Sequence, residues 1–411
     1  MPVTPLAAVQ QEILASVGRL AVHDVDLGDA LGLVLAVDVT TDQPVPPFAN
    51  TAMDGYAIQA TDTVTATVDS PVRLRVVGDL PAGKAPDRAV NRGEAIRIMT
   101  GAPMPDGADS VVMVERTRRD GDDAVLVERV AQPGDHVRGV GGDLAAGAPV
   151  FAAGTVVGPA HVGVLASIGV ARVPVVRRAR VGVLSTGDEL TAVDAPGPLA
   201  PGRIRDSNRP MLLALARQAG CDAVDLGIVV DDEAGIVATL DDAVRRYDAV
   251  LTSGGVSVGD YDYVKAALER LGSLTSWQVA IKPSKPLAFG VVGDVPVFGL
   301  PGNPVSSLVS FECFARPALL QRMGHAHRFR PEVTARAAHR FARRADGKVH
   351  LDRVRLQATA DGYVASSIGA QESNALSATA AANGLAVLPN GDGVDEGGSL
   401  RVWLLDGVAD H

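Results

Sequence analysis

Residues 248–268 read DAVLTSGGVSVGDYDYVKAAL. The stretch opens as a short apolar strand, crosses two adjacent glycines and closes with apolar residues at helical spacing. A strand that turns through bare backbone into a helix is the repeating unit of an α/β sheet. Outward from it the same rhythm continues. RVGVLST (180–186) and AVDLGIVV (223–230) read as strands, with helices at SNRPMLLALARQAG (207–220) and DEAGIVATLDDAVRR (232–246). Ser207 or Asn208 is the expected cap of the first of these helices. Beyond Leu268 come the strands SWQVAIK, PLAFGVV and VPVFGLP, then the helix NPVSSLVSFECFARPALLQRM (303–323). The alternation predicts a mostly parallel, doubly wound sheet over 180–325, whose ligands lie beyond the carboxyl ends of the strands.

The flanks have another texture. PLAAVQQEILASVGRL (5–20) reads as a helix with Thr4 as its cap, and HDVDLGDALGLVLAVDVTT (23–41) as a short helix and a strand. Short β segments punctuated by Gly, Pro and Asp run from Val72 to Val130, predicting a small β-domain over 46–137. A glycine-rich return with a short helix follows at 138–179. It is expected to pack beside the N-terminal helix, making a discontinuous domain with 1–45. From 326 to 411 β character returns as a second small β-domain.

The whole chain sets limits. Its 411 residues exceed one core, and its net charge of −10 argues against nonspecific nucleic-acid binding. No long apolar run or signal pattern is present, which predicts a soluble cytosolic protein away from membranes. The two cysteines, Cys221 and Cys313, match no metal or redox spacing.

Three loops fall at predicted carboxyl ends of strands: STGDEL (185–190), TSGGVSVGDYDY (252–263) and LPGNPVSS (300–307). Glycine leaves backbone N–H groups open to an oxyanion, and a helix starting next adds its positive end. Gly254, Gly255 and Ser257 are therefore phosphate-holding candidates, with Gly302 and Asn303 as the facing wall. Each loop alone is also an ordinary tight connection; three at one edge favour a site. Glu189, Asp231, Asp260 and Asp262 approach the same edge and would repel an anion. A hard cation such as Mg²⁺, which accepts carboxylate and phosphate oxygens together, resolves that conflict. The competing reading makes Asp231 and Asp260 helix N-terminal acids. IKPSKPLAF (281–289) fixes Lys282 and Lys285 in a proline-stiffened loop suited to a multiply charged anion. NTAMDGYA (50–57) and RIMTGAPMPDGAD (97–109) offer further polar turns, while Walker A, metalloprotease-helix and nucleophile-elbow patterns are missing.

In this order, NTAMDGYA, RIMTGAPMP, STGDEL, RIRDSNRPML, TSGGVSVGDYDY, IKPSKP, LPGNPVSS and ANGLAVLP together resemble the MoeA family, molybdopterin molybdenumtransferases related to the gephyrin E domain. The likeness spans essentially the whole chain. It implies a four-domain homodimer with a molybdopterin-binding-like α/β domain, small mainly-β domains and a discontinuous linker domain. The cleft would draw on both subunits. The implied reaction inserts molybdate into adenylylated molybdopterin with Mg²⁺, releasing AMP and the molybdenum cofactor, with an adenylyltransferase as a possible partner. The implied catalytic residues are Asp54, Thr100, Asp143, Glu189, Lys282 and Lys285. Ser185, Thr186, Gly254, Gly255, Ser257, Pro301, Gly302 and Asn303 would bind the pterin phosphate, Arg353 and Ser373 would contact anions, and Glu189, Asp231 and Asp262 would hold the metal. The chain departs from the family pattern at Ala49, Gly142, Ser284 and Asp260, where aspartate, an acid, glycine and glutamate respectively are common. Two other activities fit parts of the pattern, a molybdopterin adenylyltransferase and a non-catalytic molybdopterin-binding scaffold. Product analysis separates them.

Overall fold

The computed structural model describes residues 3–255, 263–369 and 371–405. At its centre is a seven-stranded sheet in the order Val3–Thr4, Ser273–Val279, Pro286–Val292, Val295–Leu300, Ala249–Ser253, Arg180–Thr186, Asp222–Val229. The last four strands run parallel, and Pro286–Val292 is antiparallel to both neighbours. Side chains alternate between two cores as a pleat requires. Val181, Val183, Leu251 and Phe298 face Leu212, Val309 and Phe314. Leu184, Val250 and Val297 face Ile236, Leu240, Val264 and Leu268. Helices thus cover both faces, as the sequence rhythm predicted. Ser185 pairs in register with Ser253 and Ser253 with Leu300, so all three loops leave one stretch of sheet edge.

The terminal helix 303–323 is not uniform. It runs as Pro304–Ser310, a π-helical turn Phe311–Ala315, and Arg316–Arg322. The π turn buries Glu312, a residue that reaches out to the next part of the fold.

Two sheets flank this body on the N-terminal side. Six strands between Gly55 and Val127 form one, around Tyr56, Ile58, Leu74 and Val125. Val22–Asp26, Arg172–Val176 and Val34–Leu35 form another, which brings together stretches about 150 residues apart. At the C-terminal end, Val349–Thr359 pairs with both Gly362–Ser367 and Gly384–Leu388. With Glu332–Ala337 and Ser399–Leu404 this closes a five-stranded barrel. Ile281–Lys282 adds to that barrel in parallel with Val349–His350, which ties the lysine loop to it.

Several local expectations change. Thr4 is not a cap: it extends the central sheet beside Val279, and Pro5 stands at the start of the helix Leu6–Ala15. That helix packs through Val9 and Ile13 onto the α/β body, with Leu319 and Phe314 in the same core. It does not pack beside Pro159–Ser167, whose Leu165 lies in a separate cluster with Leu35, Val173 and Val175. The apolar face of the N-terminal helix is satisfied by the larger core. Residues 23–41 form a strand, a 3-10 turn and two short strands, Val34–Leu35 and Val39–Thr40, in place of a helix and one strand.

Candidate active site

A cleft of about 270 Å³ opens at the shared sheet edge, lined by Thr186, Glu189, Asn208, Gly254, Asn303 and Asn374 among others. Its floor is braced from below. The buried Ser185 hydroxyl donates to Asp206 Oδ1 at 3.1 Å. Asp206, 1% exposed, accepts from Arg209 Nε at 2.9 Å and from the Arg209 backbone N–H at 3.2 Å, and Arg209 also pairs with Asp225. Ser207 holds the N-cap position of helix Asn208–Gln218 without a side-chain capping bond. Asp206 supplies the acceptor to that first turn, which frees Asn208 to face the neighbouring loops.

Backbone conformation shapes the wall. Gly254 has φ +97°, and a Cβ there would stand 2.5 Å from the Thr186 carbonyl oxygen. Gly255 has φ +67°, with a Cβ 2.6 Å from Val264. Only glycine satisfies both conditions. Val256 to Asp262 lie outside the described residues, and with them the Ser257, Asp260 and Asp262 expectations.

The acidic group is resolved in part. Helix Glu233–Arg246 is capped by Asp232, whose carboxylate accepts from Gly235 N–H at 2.7 Å. Asp231 is therefore not the capping acid. Its backbone N–H donates to Asp188 Oδ1 at 3.3 Å. Burial first, then the negative charges of Asp188 and Glu189, push the Asp231 carboxyl above its ordinary value. Asp188, a member of this cluster, was passed over in the sequence; its place beside Glu189 in STGDEL was the available signal. Among the described residues no three His, Cys, Asp or Glu side chains converge as a metal cage. Mg²⁺ commonly takes one or two carboxylates together with substrate phosphates, so Glu189 and Asp231 suit it as a partial set.

The lysines border different space. Lys282 lines a neighbouring cavity of about 450 Å³ with Arg343, His350, Asp352 and Gln371. Lys285 is exposed, its carbonyl accepting from Val279 N–H at 2.7 Å. Between the two spaces runs the segment 371–374, where Ser373 O accepts from Val305 N–H at 3.0 Å at the start of helix Pro304–Ser310. Arg353 is fully buried, with Nη2 donating to Glu372 O at 3.1 Å. Burial lowers its pKa. Such a placement makes Arg353 a support of the 371–374 segment.

Ser284 occupies backbone that favours glycine. Its φ of +78° lies in the left-handed region, and its buried hydroxyl pairs with Ser310. The backbone term costs about 1–2 kcal/mol in a non-glycine residue. Ser284→Gly together with Ser310→Ala removes both that cost and the paired hydroxyls. The double variant is expected to gain about 1 kcal/mol in denaturant unfolding, and Ser284→Ala alone to lose about as much.

Asp54 and Thr100 form one unit: Asp54 Oδ1 accepts from the Thr100 N–H and hydroxyl, both at 2.7 Å. The backbone bond first, then the hydroxyl, hold the Asp54 carboxyl below its ordinary value. Gly55 is required beside it, since a Cβ would meet Val112 O at 2.1 Å. This exposed corner belongs to the six-stranded N-terminal sheet, and neither residue lines the cleft. Asp143, also exposed, sits at a turn where its N–H meets Val45 O at 2.9 Å. Pro301 is buried below the cleft rim, while Gly302 and Asn303 are exposed on it.

Comparison with known proteins covers most of the chain. Residues 4–169 match the model of the MoeA N-terminal region (domain I and II), residues 182–321 a probable molybdopterin binding domain, and residues 334–405 the MoeA C-terminal region (domain IV). The chain is 42% identical over 390 residues to molybdopterin molybdenumtransferase 2 of Mycobacterium tuberculosis (strain H37Rv), covering 93% of this chain and 94% of that one. It is 36% identical over 392 residues to the molybdopterin molybdenumtransferase of Bacillus subtilis (strain 168), covering 93% and 89%. The crystal structure of a molybdopterin biosynthesis MoeA protein from Pyrococcus horikoshii OT3 superposes with a TM-score of 0.83 at 28% identity, covering 98% and 100%.

Proposed function

The chain belongs to the MoeA family and is a molybdopterin molybdenumtransferase; from that premise we propose how its own residues carry the reaction. The reaction is insertion of molybdate into adenylylated molybdopterin, giving molybdenum cofactor and AMP. The observation that supports this reading is the meeting of three loops at one sheet edge, with open glycine backbone beside crowded carboxylates.

Gly254 and Gly255, with Ser257 in the same loop, hold the phosphate of the substrate, and Gly302 and Asn303 face them. Glu189 and Asp231 hold Mg²⁺, which when bound neutralises charge on the substrate phosphates. Asp262 is assigned as their third partner. Lys282 and Lys285 attract molybdate, a dianion, toward a substrate that is itself anionic. Ser373 fixes the helix start beside Asn303 through its backbone. Positioning and charge compensation are the main contributions of the protein.

The exposed Asp54–Thr100 corner acts in a homodimer, in which one subunit places it at the α/β cleft of the other, with Asp143 in the connecting turn. The protein works in the cytosol and receives substrate from an adenylyltransferase. No helix among the described residues is long and apolar enough to cross a membrane.

The test incubates the protein with adenylylated molybdopterin, molybdate and Mg²⁺ and quantifies cofactor and AMP. Both products are expected, and both fall away when EDTA removes the metal. Adenylylation of molybdopterin from ATP, with no cofactor made, would replace the proposal by the adenylyltransferase activity.

A further inference from the structure

Between the acidic loop and Asp206 the chain makes an excursion over residues 192–203, and its two ends meet again. Leu190–Thr191 pairs in parallel with Ile204–Arg205. The Ile204 N–H donates to Glu189 O at 2.9 Å, and the Asp206 N–H to Thr191 O at 3.0 Å. The excursion has little means of holding itself together. Pro196, Pro198 and Pro201 carry no N–H, and Gly197 and Gly202, at φ +80° and +78°, turn it twice. One side chain gathers it instead. Arg205 Nη1 donates to the carbonyls of Ala192 at 2.8 Å, Val193 at 3.2 Å and Ala195 at 2.7 Å, and Nη2 to that of Gly197 at 3.4 Å. This guanidinium lines the cleft, and among the described residues no carboxylate pairs with it.

Glu189 stands at the root of that excursion. Its carboxylate folds back over Gly187, where a Cβ would meet Oε2 at 2.6 Å. Among the described residues this carboxylate accepts no hydrogen bond, so its backbone sets its direction. A metal-binding carboxylate is ordinarily oriented by the groups around it, and losing such support commonly costs about ten- to a hundredfold in metal affinity. We propose that Arg205 is a positioning residue for the metal site: by clamping residues 192–197 it keeps the ends of the excursion paired and the Glu189 carboxylate aimed. The planar fork matters more than the charge. Four carbonyls around one guanidinium need donors spread in a fixed plane, whereas an ammonium supplies a single point. This inference rests on the assignment of Glu189 to Mg²⁺ and adds the side chain that holds Glu189 in place.

Arg205→Met removes both fork and charge, and Arg205→Lys removes the fork alone. In both full-length variants hydrogen exchange across residues 190–204 is expected to quicken, while the melting temperature without metal stays close to wild type. The Mg²⁺ concentration that half-saturates cofactor formation is expected to rise about tenfold, with the rate largely recovered at saturating Mg²⁺. The Mg²⁺-induced rise in melting temperature is expected to shrink in step. Full rescue by Arg205→Lys would make charge the active feature and overturn the clamp. A rate that saturating Mg²⁺ does not recover would assign the arginine to the substrate, and a metal-free melting temperature far below wild type in both variants would assign it to the fold; either result sinks the proposal. Should wild type make cofactor without Mg²⁺, the metal assignment falls and this role with it. Mg²⁺-dependent formation that Arg205→Met leaves unchanged removes Arg205 alone.

Discussion

Asp231→Asn is expected to reduce cofactor and AMP formation about a hundred- to a thousandfold at saturating substrate, the scale of losing one electrostatic group at a reacting centre. The same change is expected to raise the melting temperature of the metal-free protein. Both expectations come from one arrangement. Asp232 already caps the following helix through Gly235, so Asp231 contributes no capping bond of its own. Its carboxylate instead stands with Asp188 and Glu189, partly buried among like charges, and its proton is held above the ordinary value. Asparagine keeps the size and removes the repulsion.

The sign of the pH effect follows. A carboxyl whose folded pKa is raised binds its proton more tightly when folded. Its stabilising contribution is present at acid pH and is lost as pH rises through the raised pKa. The stability gain of Asp231→Asn over wild type is therefore largest near neutral pH and shrinks toward acid. Adding Mg²⁺ should stabilise wild type more than the variant, because a ligand that binds only the folded state adds stability that grows with the logarithm of its affinity. Thermal melts with and without Mg²⁺ across pH, beside product assays, check all four outcomes. Wild-type product formation by Asp231→Asn would remove this residue from the reaction.

How much of this was visible beforehand depends on the scale of the physical signal. The α/β body was legible because strand and helix periods alternate cleanly from Arg180 to Met323, and glycine pairs such as Gly254–Gly255 mark where the chain must turn. Short-range patterns did less well where a distant partner decides. Thr4 has the chemistry of a cap, yet an available sheet edge at Val279 claimed it. The N-terminal helix was assigned the wrong neighbour, because periodicity reveals an apolar face but not what covers it. In the cleft, residue types pointed to glycine backbone and carboxylates but missed Asn208. Its role depends on Ser253 and Gly302, 45 and 94 residues away, and nothing local distinguishes it from a cap. Arg353 shows what burial adds. An arginine in an anion-handling protein suggests contact with the anion, whereas burial turns this one toward the Glu372 carbonyl.

Glu312→Ala is expected to destabilise the protein by about 3–5 kcal/mol, the cost of removing one partner from a buried ion pair. The Glu312 side chain is fully buried in the π-helical turn and accepts two bonds from Arg330, at Nε and Nη2, both 2.8 Å. Arg316 lies 3.9 Å from the same carboxylate, and its pKa is lowered first by burial and then by the charge of Arg330. Without Glu312 two guanidinium groups face each other in a largely dry place. Arg330 also donates to Leu405 O at 2.6 Å, just past the barrel strand Ser399–Leu404, and to Gln218 Oε1 at 3.0 Å. The carboxylate therefore holds the C-terminal barrel to two helices of the α/β body. Loosening it reaches the cleft, since the segment carrying Ser373 and Asn374 is positioned from the barrel side. Glu312→Gln keeps the side-chain shape and an acceptor while removing the charge, so it should lose less than the alanine variant but more than a surface change. Limited proteolysis is expected to cut between residues 323 and 332 in Glu312→Ala at protease levels that leave wild type intact, with KM for the pterin substrate rising before kcat falls. Equal melting temperatures for wild type and Glu312→Ala would mean that the barrel is held by its apolar contacts, Leu351, Leu385 and Leu405 in the shared core, and that the buried charge adds nothing.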